Sequence, residues 1–247
     1  MTTWLTIVAI GAAVGFLGGM FGKGGSAIAT PLLAAAGLPA IVAVAGPLPA
    51  TIPATALAAY HYHRQGQLDR RLVLIAIAFG VPATIIGAVA TRWIGGEVLI
   101  IVTDVVIAAL GLRFFLRPHP AEVIHDELDR PLVRLAVVAV VAGLAGGLLA
   151  NSGGFLLAPL FIAVVRLPIK AAFAASLAVS AVLAVPGTVV HAALGHIDWT
   201  VVAVFAAASI PLTTIGARVA MKVPSVSLER FYGLGLTVLG VVFLLAH

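Results

Sequence analysis

Cysteine is absent from the 247-residue chain, which excludes disulfides, zinc–thiolate centres, iron–sulfur clusters and thiol nucleophiles together. Charge is nearly as scarce. Only 9% of the residues are Asp, Glu, Lys or Arg, whereas 62% are hydrophobic and the mean hydropathy is +1.19. A soluble domain carries roughly 25% charge, and a globule of this size would have too few charged groups to clothe its surface. The chain therefore reads as an all-α polytopic membrane protein. Its 14 basic residues exceed its 9 acidic ones; in a membrane protein that excess places loops and does not imply a nucleic-acid partner. A basic leader is missing as well. Met1-Thr2-Thr3-Trp4 has no n-region, so the first apolar run is expected to stay in the mature protein.

What the chain has is apolar length. Long runs occupy about 4–21, 41–60, 71–94, 97–116, 132–150, 171–194, 200–221 and 228–246, each near the roughly 20 residues that cross a hydrocarbon core as a helix. Two shorter runs, 26–38 and 154–165, follow glycine-rich breaks. The runs are continuous and lack a period of two, which argues against a transmembrane β-barrel.

The chain is also duplicated. An offset of 128 residues lays Gly15, Gly18, Gly19, Gly25 and Pro31 on Gly143, Gly146, Gly147, Gly153 and Pro159. With one residue added, Pro39, Leu48, Gly66, Asp69, Pro82 and Gly87 fall on Pro168, Leu177, Gly195, Asp198, Pro211 and Gly216. Residues 1–117 and 132–247 are two membrane repeats joined by a polar, cytoplasmic linker at 118–131. Each repeat is a broken helical hairpin followed by three transmembrane helices, an odd number of crossings, so the second is expected to run inverted. Loop charge agrees. Arg64, Arg70 and Arg71 mark one loop whose counterpart, 191–199, has no Lys or Arg, whereas Arg166, Lys170, Lys222 and Arg230 belong to second-half loops. The positive-inside rule makes these basic loops, with Arg117, Arg130 and Arg134, cytoplasmic; Arg92 departs from the pattern.

The hairpin breaks, Phe21-Gly22-Lys23-Gly24-Gly25-Ser26 and Ala150-Asn151-Ser152-Gly153-Gly154-Phe155, are where chemistry is expected. A helix that starts inside the bilayer offers unpaired N–H groups and a partial positive charge. Two inverted copies would aim those termini at one point, an anion site of the kind secondary transporters build from broken helices. The candidate ligands are Lys23, Gly24, Gly25, Ser26, Asn151, Ser152, Gly153 and Gly154, with the hydroxyls of Thr51, Ser176 and Ser180 on the following helices. Lys23 reads either as a counter-charge or as a residue reaching water. Gly11, Gly15, Gly143 and Gly147 fit close helix packing, and helix hydroxyls, Thr55 included, commonly bond their own carbonyls. Asp104, an acid inside an apolar run, is a candidate for a coupling proton or an arginine partner. Pro47, Pro49, Pro53 and Pro186 imply kinked or unwound helices. His61, His63, His191 and His196 read as interfacial, with no metal cluster. A phosphate loop at Gly22-Lys23-Gly24 fails, since Leu17 holds the leading glycine position and no Ser or Thr follows the lysine. No Gly-x-Ser-x-Gly or His-Glu-x-x-His occurs, and no cofactor is expected.

The segment from Gly15 to Ser26 followed by Pro31-Leu32, and its copy from Gly143 to Gly154 followed by Pro159-Leu160, resemble the duplicated signature of the TauE/SafE family. The likeness extends to the loops Gly66-Gln67-Leu68-Asp69-Arg70 and Gly195-His196-Ile197-Asp198-Trp199. The resemblance implies a bacterial inner-membrane permease of seven or eight spans that exports sulfite, sulfoacetate or related organosulfur anions. Lys23 and Asn151-Ser152 depart from the family pattern at the presumed site. The expected function is a secondary carrier of a small anion, in lipid, by alternating access, with protons as a candidate coupling ion; the small-residue faces are compatible with a homodimer. An anion channel is the nearest rival. An intramembrane hydrolase using Ser26 or Ser152 and a membrane scaffold are weaker ones, and the chain is not expected to be an enzyme.

Overall fold

The computed structural model describes residues 4–22, 26–90, 105, 108–117, 131–148 and 153–246, and among these the regular structure is entirely helical. Among the described residues ten α-helices have defined bounds: α1 (Trp4–Met20), α2 (Ser26–Ala35), α3 (Ala40–Ala45), α4 (Pro47–Arg64), α5 (Arg70–Ala90), α6 (Pro131–Leu148), α7 (Gly154–Leu160), α8 (Ile169–Ala193), α9 (Trp199–Lys222) and α10 (Ser225–Ala246). A further helical stretch lies at 108–116. α3 with α4, α5, α8, α9 and α10 contain segments long and apolar enough to cross a membrane. The protein is thus a multi-pass membrane protein. Its perimeter suits lipid: Leu5 is 79% exposed and Leu74 66% exposed, positions that water would penalise and acyl chains do not.

Local chemistry explains the helix ends. Asp198 accepts from the Thr200 and Val201 amides and caps α9, and Asp69 does the same for α5 through Arg71 and Leu72. The two acids are repeat partners, as are Gly66 and Gly195, both at φ 71°, which turn the chain just before each cap. Pro39 and Pro168 match too, with φ −54°, ψ 139° and φ −52°, ψ 142°. Arg166 holds a left-handed φ of 62° where its partner Gly37 has 91°; the backbone shape persists although its side chain does not favour it. It closes Phe161–Val165, a π-helical continuation of α7.

Proline acts unequally. Gly46 keeps helical dihedrals, φ −57° and ψ −42°, so α3 runs on into α4. Pro47, Pro49 and Pro53 nevertheless withhold the N–H groups that would bond the carbonyls four residues earlier. Pro186 leaves α8 a single unbroken helix from Ile169 to Ala193.

The two sequence halves interleave. α1 of the first half packs most extensively on α9 of the second, and α5 of the first on α6 of the second. Glycine makes both contacts. A Cβ on Gly11 would lie 2.8 Å from the Phe205 carbonyl oxygen, and Cβ atoms on Gly15 and Gly19 would overlap the carbonyls of Ser209 and Thr213. The register advances in the same direction on both helices, so α1 and α9 are parallel. The α5–α6 contact repeats this by the same offset: Gly143 faces Gly80, Gly147 faces Thr84, and Gly87 faces Leu144 as Gly216 faces Phe16. Backbones this close gain dispersion and weak polar contacts that a larger side chain would forbid. α8 lies at the centre, with Ala172, Phe173, Ala174, Ala175 and Leu177 buried in the main core cluster.

Overpacking a tight contact costs about 1–3 kcal/mol, whereas a Cβ at Gly66 or Gly195 meets nothing within 4 Å and incurs only the left-handed backbone penalty of about 1–2 kcal/mol. Gly19→Leu and Gly147→Leu should therefore lower the melting temperature in detergent far more than Gly66→Ala or Gly195→Ala. Equal losses would show that the helix contacts are not this close.

Candidate functional site

Just after the second glycine-rich break Gly153 has a φ of 69°, open to glycine and strained for other residues. Gly153 opens α7 with no side-chain cap, and its carbonyl accepts from Leu156 and Leu157. The amides of Gly154 and Phe155, the first two of the helix, precede the first residue that the helical pattern can bond. This start is enclosed: Gly154 to Pro159 are all buried. Ser176, on α8, donates to the Gly154 carbonyl at 3.2 Å and so fastens the hairpin to the central helix.

Chain just before the first break reaches the same helix. Gly22, with φ 65°, packs so closely on α8 that a Cβ there would lie 2.6 Å from Phe173 Cα. Phe173 and Ser176 are three residues apart, neighbours on one helix face. Chain adjoining both breaks therefore abuts a single turn of α8. Phe173 also belongs to a cluster of four rings: Phe21, Phe114 and Phe173 have centroids 5.8, 6.1 and 4.9 Å from that of Tyr232. Tyr62 donates to the Gly19 carbonyl at 3.4 Å, closing the α1 side.

Among the expected site residues, Lys23, Gly24, Gly25, Asn151, Ser152 and Asp104 lie outside the described residues, as do the side-chain surroundings of Ser26. Gly153 and Gly154 form the α7 start just described. The hydroxyls divide into two groups. Thr51 donates to the Pro47 carbonyl at 2.9 Å and Ser176 to that of Gly154, so their protons are already engaged. Ser180, fully buried, has no hydrogen-bond partner among the described residues. It is the repeat counterpart of Thr51.

Three residues of interest escaped the sequence reading. The hydroxyls of Ser209 and Tyr232 are buried without partners among the described residues, and Glu229, 2% exposed, is a buried carboxylate. Tyr232 follows Glu229-Arg230-Phe231 and has the composition of an interfacial anchor, so only its ring cluster reveals its depth. Ser209 had a usable signal: it precedes Thr213 by four residues, the spacing of Gly15 and Gly19 opposite them. Among the described residues no group of three or more His, Cys, Asp or Glu could hold a metal. His191 and His196 pair through their Nδ1 atoms at 3.2 Å, and His63 contacts Arg70 at 2.9 Å.

Comparison with known proteins agrees with a multi-pass membrane protein. The chain is 29% identical over 244 residues to a "Probable membrane transporter protein" of Xylella fastidiosa strain 9a5c, covering 95% of this chain and 93% of that one. A second protein with the same description, from strain Temecula1, is 28% identical over 248 residues with the same coverage. No solved structure matches significantly. A family model described as sulfite exporter TauE/SafE matches residues 7–243, nearly the entire chain and both glycine breaks, and the chain belongs to that family of membrane transporters.

Proposed function

We propose that the protein is a secondary carrier of a small anion, sulfite or an organosulfonate, bound where the two hairpin breaks meet and moved by alternating access between inverted halves of a bacterial inner-membrane permease. The observation that carries this reading is the approach of both breaks to one turn of α8, Gly22 against Phe173 and Gly154 against Ser176. An uncapped, buried helix start is electropositive, and oxyanions suit exposed amides. Lys23, Gly24, Gly25 and Ser26 from one side, and Asn151, Ser152, Gly153 and Gly154 from the other, supply the amides and side chains. Lys23 adds a full positive charge. Ser180 and Tyr232, whose O–H groups have no partner among the described residues, serve as the neutral donors; Ser176 shapes the wall.

The helix directions support inversion. α1 runs parallel to α9, and α5 to α6, by the glycine register. α8 and α9 are joined by the short turn 194–198, and Lys170 at the start of α8 donates to the Met221 carbonyl at the end of α9, so these two are antiparallel. With α7 returning from the second break, α6 then runs opposite to α1, and the hairpins enter from opposite faces. Lys170 and Lys222 share one end, as the positive-inside rule requires of a cytoplasmic face.

An inside-negative potential supplies about 2.3 kcal/mol per charge per 100 mV and so favours outward movement of an anion. Asp104 remains the candidate for a coupling proton.

Two experiments test this. Single cysteines at the exposed positions Gln65 and Leu194, in a chain that has none, should label from opposite sides of the membrane; labelling from the same side would defeat the inversion. In a panel of sulfite, sulfoacetate, thiosulfate, sulfate and carboxylates, one sulfur oxyanion should raise the melting temperature, by about 2.7 kcal/mol of stability at a hundredfold excess over Kd. Lys23→Ala and Tyr232→Phe should each weaken that response about tenfold or more, since hydrogen bonds to charged groups are worth about 1.5–3 kcal/mol. Tyr232→Phe should leave the unliganded protein at least as stable. Unchanged responses in both variants would sink the site assignment.

A further inference from the structure

A small cavity lies between α1, α4 and α9. It is lined by Val14, Gly15, Ala54 and Phe205 and by four hydroxyl residues, Thr51, Thr55, Ser209 and Thr213. It leaves about 10 Å³ for the centre of a water-sized sphere, room for one such particle.

The direction of the hydroxyl protons decides what it can hold. Thr51 donates to the Pro47 carbonyl at 2.9 Å, Thr55 to that of Thr51 at 2.8 Å, and Thr213 to that of Ser209 at 2.6 Å. With their protons turned onto the helix backbone, these three oxygens can offer a guest only lone pairs. Ser209, 3% exposed, has no partner among the described residues and is free to rotate its lone pairs inward. Such a cavity accepts a cation and repels an anion, which needs donors. No carboxylate lines it, so a doubly charged ion would lack compensation for its much larger desolvation. Proline enriches the same turn of α4 in oxygen, since Pro53 withholds the N–H that would bond the Pro49 carbonyl.

Packing does not require the cavity. At the repeat-equivalent place in the other half, Ala54, Thr55 and Ser209 are replaced by Leu183, Ala184 and Gly80. There Leu183 is buried and its Cδ2 would lie 3.2 Å from a Cβ on Gly80. The fold closes this position with a leucine in one half and keeps it open and oxygen-lined in the other.

We propose that the cavity between α1, α4 and α9 is a binding site for one small monovalent cation, sodium by size, held by the oxygens of Thr51, Thr55, Ser209 and Thr213. The site stands on its own lining and is independent of the anion reading.

The test is thermal unfolding of the purified full chain in detergent, in sodium chloride against potassium, lithium and N-methylglucamine chlorides at equal ionic strength. Sodium should raise the midpoint saturably by several degrees over N-methylglucamine. Ser209→Ala should lose that rise while melting no lower than the parent in N-methylglucamine, because it removes a buried hydroxyl without a partner. Ala54→Leu, which copies the filling seen in the other half, should lose it too. Thr84→Val, at the partner position of Thr213 in the filled half, should keep it. Absence of a sodium-specific rise in the parent, or an undiminished rise in both Ser209→Ala and Ala54→Leu, would overturn the proposal.

Discussion

Backbone amides and carbonyls inside a hydrocarbon layer have no water to bond, so a helix that begins or stops there must be wrapped in protein. The architecture answers that constraint. α7 begins at a buried Gly154, and its exposed polar ends are tolerable only because neighbouring helices surround them. α7 packs on α8 and α6 of its own half, and those helices are held across the halves, α6 by α5 and likewise α1 by α9. The contacts across the halves are tight because Gly15, Gly19, Gly143 and Gly147 let backbones meet where a Cβ would collide. Interleaved halves, glycine-faced helices and buried breaks are three aspects of one solution, and none is stable without the others.

The same shortage of water governs the hydroxyls. Thr51, Thr55, Thr84, Thr188, Thr213 and Thr237 each donate to the carbonyl four residues earlier. That satisfies the hydroxyl locally and removes it from the pool of donors available to a ligand. Ser180, Ser209 and Tyr232 have no partner among the described residues. Donors and acceptors are thereby distributed unequally: Ser180 on α8 and Tyr232 on α10 keep O–H groups to donate, whereas between α1, α4 and α9 threonine lone pairs gather beside Ser209, whose hydroxyl can turn either way. The sorting separates a place suited to an oxyanion from one suited to a cation, with residue types that look interchangeable on paper.

Much of this was legible in the residues, and the reason is the backbone. Gly66 and Gly195, or Asp69 and Asp198, recur at one offset because turns and caps admit few substitutes, so the duplication stands out even in a low-complexity apolar chain. Gly37 and Arg166 show the limit: the dihedral survives in the pair while the residue type does not, and no reading of Arg166 alone would place it at positive φ. Which glycine face meets which partner was also hidden. Gly11, Gly15 and Gly19 announce a smooth stripe, but nothing in their spacing selects α9 over the adjacent α2. Proline misled in one respect, since Pro186 leaves α8 whole, and Gly46 carries α3 on into α4 although Pro47, Pro49 and Pro53 withhold backbone donors there. Tyr232 was invisible because its neighbours Glu229 and Arg230 give it the look of a headgroup residue, and its depth follows only from Phe21, Phe114 and Phe173 closing around it.

Duplication starts with two of everything, so each difference between the halves has to be explained by its energetics. Leu183 against Ala54 is a difference of three carbons, worth about 2–3 kcal/mol of burial at roughly 0.8 kcal/mol per methylene. An unpartnered hydroxyl at Ser209, where the other half has Gly80, adds a penalty of about 1–3 kcal/mol. Against a net stability of roughly 5–15 kcal/mol, leaving the first-half position small and oxygen-lined forgoes a sizeable fraction of the total, and the other half shows that the fold can close it. Mutation towards the filled arrangement would stabilise the empty protein. A cavity held open against that gradient is accounted for if a guest returns the missing free energy when it binds, and the lone pairs around Ser209 restrict that guest to a positive one.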